Sequence, residues 1–279
     1  MTVNVLQWNA RGGLGRGGLQ ELGRWMMGRN MRVGLIQEPG VDFEKTAAGW
    51  NGRVFQRGRA AVILTPGLRG TVDRARSCVA TDVGGDGGGG SSGSSAGIDM
   101  VTVSVEGLYP GCVVTLMSYY RPHSAYPPHA VHKIQEALLA LPRIDIVAGG
   151  DMNIHSERLG AQHTSTGGVQ LNHLITQLEM DGGGCLNDGR PTWIGRPGDE
   201  RVRTPSPIDV TLHVWGAPRL VHATGWHLHT RGTSDHRRIS IQLECPAVTT
   251  TTTNNGSSSP SASQSTYANA DATSVCTCT

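Results

Sequence analysis

Long apolar runs are missing from this sequence. None approaches the roughly 18 consecutive apolar residues that a membrane-spanning helix needs, so no span is expected. The opening residues, MTVNVLQWNARGG, lack the basic start and apolar stretch of a secretory leader. Charge of one sign is also missing: 24 Lys and Arg stand against 22 Asp and Glu, a formal +2. That balance excludes coating of nucleic acid by bulk charge and leaves only a local basic face. The six cysteines, Cys78, Cys112, Cys185, Cys245, Cys276 and Cys278, contain no Cys-x-x-Cys. A disulfide framework or zinc site is therefore not expected; reduced thiols are, in nucleus or cytoplasm rather than outside the cell. No internal repeat is visible.

Two segments have nothing to pack. Residues 84–97 read GGDGGGGSSGSSAG, a flexible loop by composition. From Val248 the chain reads TTTTTNNGSSSPSASQST, and residues 247–279 are expected to be a disordered Ser/Thr-rich tail. One domain, residues 2–246, is left. In it, Val- and Ile-rich runs bounded by Gly, Pro or Asp read as strands: TVNVLQW, RVGLIQE, RAAVILT, IDMVTVSVE, CVVTLMSY, RIDIVAGGD, PIDVTLHV and RRISIQLE. Several are apolar on both parities, as in strands covered on both faces. Three stripes have helical spacing: Leu19, Leu22 and Met26; Val131, Ile134, Leu138 and Leu141; Leu171, Leu174, Ile175 and Leu178. Many strands with few helices, and no strict alternation, predict an α/β layered sandwich with sheets inside and helices outside.

Polar residues stand where these strands stop: Trp8-Asn9, Gln37-Glu38-Pro39, Gly150-Asp151-Met152-Asn153, Ile208-Asp209 and Ser234-Asp235-His236. Each alone reads as a cap or turn. Together, at neighbouring strand ends, they make an oxygen-rich site suited to Mg²⁺ or Mn²⁺ rather than zinc.

The series Trp8-Asn9, Gln37-Glu38, Tyr120-x-Pro122, Asp151-x-Asn153, Ile208-Asp209 and Asp235-His236, in this order and spacing, resembles the endonuclease/exonuclease/phosphatase superfamily from about Val3 to Glu244. Gln7 to Gly12, Pro191-Thr192-Trp193, Ser206 to Leu212 and Gly232 to Arg237 look like the endonuclease domain of non-LTR retrotransposons. The resemblance implies a DNase I-like four-layer α/β sandwich with two central, mostly antiparallel sheets. It also implies a Mg²⁺-dependent endonuclease that nicks double-stranded DNA to give a 3′-hydroxyl for target-primed reverse transcription. Such an enzyme is expected in the nucleus, as a monomer, with no membrane partner. No polymerase motif is present, so a reverse transcriptase domain is expected elsewhere in the full-length element.

The roles implied are these. Glu38 binds the metal, with Asn9 and Asp235 beside it. Asp209 orients His236, whose other nitrogen serves the phosphate or water. Asp151 orients or deprotonates the attacking water, Asn153 positions Asp151 and donates to the phosphate, and Tyr120 donates its hydroxyl. Apurinic endonucleases commonly carry an acid two positions after the first Asn; here that residue is Arg11. Where they have Asn after Tyr-x-Pro, this chain has His123. Arg11 and His123 are thus candidate DNA contacts. Trp193 fits base stacking or core packing, and Arg196, Arg201 and Arg203 fit a phosphate-holding or merely solvated loop. Rival readings are an apurinic/apyrimidinic repair endonuclease, a phosphatase of the same fold, and a decayed copy that only binds nucleic acid.

Overall fold

A computed structural model describes residues 2–12, 14, 18–40, 43, 47, 50–79, 97–123, 125–140, 144–195, 204–216, 221–231 and 234–245. The 84–97 loop (Gly97 apart), the 247–279 tail, Leu141, and Arg196, Arg201 and Arg203 lie outside these residues.

All eight predicted runs are strands. In chain order the elements are β1 (Thr2–Asn9), α1 (Gly18–Met27), β2 (Met31–Gln37), β3 (Arg53–Arg57), β4 (Ala60–Leu64), β5 (Arg69–Val72), β6 (Asp99–Tyr109) and β7 (Cys112–Tyr120). There follow α2 (Pro127–Leu139), β8 (Ile146–Asp151), α3 (Thr166–Met180), β9 (Gly184–Cys185), β10 (Asp209–Val214), β11 (His222–Arg231) and β12 (Arg237–Glu244). The helices start where their chemistry allows. Pro127 and Pro128 fill the first turn of α2, where no N–H partner is needed. The Ser165 hydroxyl accepts from the Gly168 N–H to cap α3.

The strands form two six-stranded sheets, ordered β11-β12-β1-β2-β4-β3 and β5-β6-β7-β8-β10-β9. Each has one parallel pair at its centre, β1/β2 or β7/β8, flanked by antiparallel neighbours. A parallel pair needs a crossover, and α1 and α2 provide the two. Val3 and Val5 of β1 pack into the core between the sheets with Val33, Leu35, Leu116 and Ile241. Leu6 and Trp8, on the other face, pack against Leu22 and Met26 of α1. On the far sheet, Ala148 and Leu212 pack against Ile134 of α2 and Leu174 of α3. The order is helix, sheet, sheet, helices: the DNase I-like α/β sandwich. Both faces of the central strands are covered, which is why they are apolar on both parities.

The inter-sheet core turns polar towards one pole. Gln7 on β1 donates to the carbonyls of Gly150 and Val210, both at 3.4 Å, and accepts from the Thr211 hydroxyl at 2.5 Å. Gln37 on β2 donates to the Ser118 hydroxyl at 3.0 Å and the Gly149 carbonyl at 3.2 Å. These buried bonds fix one sheet against the other, since shifting the register would leave the amides without partners. They also require glycine on β8. A Cβ at Gly149 would strike the Gln7 amide, and one at Gly150 the Tyr119 carbonyl.

Candidate active site

The catalytic candidates sit on that pole because parallel strands end together. β1 ends in Asn9, β2 leads into Glu38, β7 ends in Tyr120 and β8 in Asp151. β10 and β12 run antiparallel to these neighbours and begin there, with Asp209 and next to His236. Asp209 and Asp151 face each other directly across β10 and β8.

An open cavity of about 320 Å³ lies over these ends, lined by Arg11, Glu38, Tyr120, His123, Asp151, Asn153, His155, Trp193, Ile208, Asp235 and His236. Asn9 and Asp209 lie just beneath it. Backbone strain concentrates here. Among the described residues, four that are not glycine have positive φ, and three of them are Arg11 (48°), Glu38 (47°) and Asn153 (49°). Each such conformation costs about 1 kcal/mol or more and marks a site where the surroundings impose geometry. The imposing bonds are visible. The Glu38 N–H donates to the Arg59 carbonyl at 2.7 Å, and its own carbonyl accepts from Gly12 at 2.5 Å. Asn153 is held by its N–H to Asp151 Oδ1 at 2.9 Å and its amide to the Arg121 carbonyl at 2.9 Å.

Asp209 Oδ2 meets His236 Nδ1 at 2.8 Å, which leaves Nε2 facing the cavity, 3.9 Å from Asp151 Oδ2. Burial works against charge on His236, but the Asp209 charge and hydrogen bond, then Asp151 and Glu38, outweigh it and push the imidazole up to about 9. Asp151 is raised to about 7, first by burial and then by the Asp209 charge; His236, the Asn153 N–H and the Asn9 amide pull the other way. Burial, followed by the Glu38 charge and hydrogen bond, holds the Tyr120 phenol far above its ordinary range, so it remains a donor.

The residues expected at a metal are less alike. Glu38 is half-buried and lines the cavity. The Asn9 amide nitrogen donates to Glu38 Oε2 at 3.2 Å and to Asp151 Oδ2 at 2.8 Å, while its oxygen accepts from the Arg11 N–H at 2.8 Å. Asp235 is held by an ion pair with the Arg11 guanidinium and by Trp193 Nε1 at 3.1 Å. Asp151, Asp209 and His236, all buried, present ligand atoms within 4.8 Å of one another, a spacing that can hold a metal ion. Asp209 Oδ1 is buried and has no hydrogen-bond partner, an uncompensated oxygen that also suits a nearby cation.

Trp193 is half-buried, lines the cavity and anchors Asp235 through its indole N–H. His123 is exposed at the rim, its imidazole shifted down by partial burial and then by the Arg121 charge. Sequence reasoning passed over two residues. His155 lines the cavity and meets the Ser206 hydroxyl at 2.9 Å. Buried Arg121 donates to the carbonyls of Met152 and Asn153, both at 2.5 Å, of Ala125 at 2.6 Å and of Pro122 at 3.1 Å. It ties the Asp151–Asn153 turn to the end of β7. The only signal for it was its place between Tyr120 and Pro122.

The endonuclease domain of TRAS1, a telomere-specific non-LTR retrotransposon, has the same architecture: TM-score 0.62, 22% identity, 88% of this chain and 99% of that one. This is the endonuclease/exonuclease/phosphatase superfamily fold. A family model described as endonuclease-reverse transcriptase matches residues 114–240, the stretch from β7 into β12. The same superfamily fold is found in an endonuclease/exonuclease/phosphatase from Bacteroides vulgatus, with TM-score 0.56 and 11% identity over 88% of this chain and 100% of that one. It recurs in AP endonuclease LMAP from Leishmania major, with TM-score 0.58 and 13% identity over 88% of each chain. No curated protein sequence matches this chain.

Proposed function

We propose that this chain is a Mg²⁺- or Mn²⁺-dependent endonuclease that nicks double-stranded DNA for a non-LTR retrotransposon. The carrying observation is the convergence of Glu38, Tyr120, Asp151, Asn153 and His236 on one open cavity, with Asp209 beneath His236. Glu38 would hold a divalent ion, with Asp235 nearby and Asn9 bracing the Glu38 carboxylate through its amide N–H, and the ion would supply positive charge to the scissile phosphate and the leaving oxygen. Asp151 takes a proton from the attacking water, a role suited to a carboxylate raised to about 7. The imidazolium of His236 donates Nε2–H to a phosphate oxygen, and the Tyr120 hydroxyl and Asn153 amide donate beside it. Water adds to phosphorus, the bond to the 3′-oxygen breaks, and that oxygen takes a proton from solvent, leaving a 3′-hydroxyl and a 5′-phosphate. Such an end primes reverse transcription in the nucleus by a polymerase domain of the same element. The resemblance to retrotransposon endonucleases supports this over a phosphatase reading.

Supercoiled plasmid should become nicked circle with Mg²⁺ and stay intact with EDTA, and a DNA polymerase should extend the nick directly. No nicking at any divalent metal concentration, or a 3′-phosphate end, would overturn the proposal. With Arg11 in place of an acid, intact duplex should be cut at least as fast as a matched duplex carrying an abasic analogue. The added cation favours phosphate contact without reading a missing base. A large excess of abasic cleavage would make the chain a repair-type enzyme.

The rate should be bell-shaped in pH. Asp151 must have lost its proton, so activity rises as pH passes about 7. His236 must keep its proton, so activity falls as pH passes about 9. A pH–kcat profile at saturating metal reads both limbs. A profile flat from pH 6 to 10 would remove these two groups from proton transfer.

A further inference from the structure

Two thiols meet at the pole opposite the catalytic cleft. Cys112 opens β7, whose other end carries Tyr120, and Cys245 follows β12, which starts beside His236. The nine residues of β7, at about 3.3 Å each, put roughly 25–30 Å between the pair and the cleft. Although 133 positions apart in sequence, the two sulfurs lie 3.5 Å from each other across the two sheets. A neighbouring bond holds them there. Tyr109, paired with Cys112 across the β6–β7 hairpin, donates its hydroxyl to the Leu243 carbonyl of β12 at 2.6 Å. Cys112 also forms part of an open cavity of about 610 Å³ rimmed by Arg69, Pro110, Gly111 and Val113, and Cys245 is half-buried.

We propose that Cys112 and Cys245 are a modification site: a dithiol that closes to a disulfide, clipping β12 to β7, when a small disulfide oxidant such as oxidised glutathione enters this cavity. One protein thiolate attacks the glutathione disulfide, forming a mixed disulfide and releasing one reduced glutathione. The second thiolate attacks the mixed disulfide at the protein sulfur and releases the other. The two protein thiols give up two electrons to the glutathione disulfide, and their two protons end on the released glutathione thiols. In the reduced nucleus or cytoplasm the pair stays open; under oxidation it closes a loop of 133 positions, which restricts the unfolded chain far more than the folded one.

The test is made on the full chain and is independent of any nuclease assay. After oxidised glutathione, remaining thiols are alkylated and peptides are mapped without reduction. A linked peptide joining Cys112 to Cys245 is expected in most molecules, ahead of any bond to Cys78, Cys185, Cys276 or Cys278. The Tm should rise by roughly 5–15 °C and return with dithiothreitol; C245S should show neither change. Alkylated Cys112 and Cys245 after oxidation, or glutathione retained on Cys112 with no linked peptide, would overturn the proposal.

Discussion

Asp209→Ala and His236→Ala are each expected to reduce nicking by roughly 10³-fold or more, and the double variant to be scarcely worse than either. The 2.8 Å contact between Asp209 Oδ2 and His236 Nδ1 makes the pair one device. Without Asp209 the imidazole loses both the charge that keeps it protonated and the bond that aims Nε2 into the cavity. Without His236, Asp209 has no route to the phosphate, because it lies below the cavity floor. The measurement is a comparison of single-turnover nicking by the three variants, with thermal unfolding as the control for folding. Losses that multiply in the double variant would show two independent contributions.

Glu38→Ala is expected to abolish nicking while leaving the fold intact. The side chain is half-buried at a strand end and lies outside the three apolar clusters, so its removal creates no core cavity. Its loss should appear first in metal binding. Titration with Mn²⁺, followed by electron paramagnetic resonance, should show weakened binding in the variant even without DNA. Near-normal nicking at saturating Mg²⁺ would remove Glu38 from the metal. Retained Mn²⁺ affinity together with lost activity would instead make it a phosphate-side residue.

Much of the fold was legible because the central strands are covered twice. Apolar residues on both parities, as in RAAVILT and IDMVTVSVE, leave few alternatives. The four elements that escaped carry weaker patterns. β3, RVFQR, is exposed at both ends; β5 has four residues and β9 two; β11, HATGWHLHTR, opens on small and polar residues and has only Trp226 and Leu228 as large apolar positions. In the site, residues at strand ends could be expected to converge, since position in a sheet follows from the strand pattern. What no strand pattern carries is how side chains then pair. The ion pair of Arg11 with Asp235, the bonds of Arg121 to the Met152 and Asn153 carbonyls and the meeting of Cys112 with Cys245 all join residues far apart in sequence. Such pairings depend on how the two sheets lie on each other, which one-dimensional spacing does not encode.

The amides of Gln7 and Gln37 make catalysis a gauge of core alignment. Gln7 grips β8 and β10, two strands that carry Asp151 and Asp209 at their ends, and Gln37 grips β7 and β8, which end in Tyr120 and Asp151. Half of the reacting groups thus ride on one sheet and half on the other, like jaws on a common hinge pin. A conservative change deep in the valine-rich layer, far from any phosphate, that lets the sheets slip by a fraction of an ångström would misalign Glu38 against Asp151. Under the proposed function, turnover should then fall before melting temperature does, so that rate reports core packing more sensitively than unfolding.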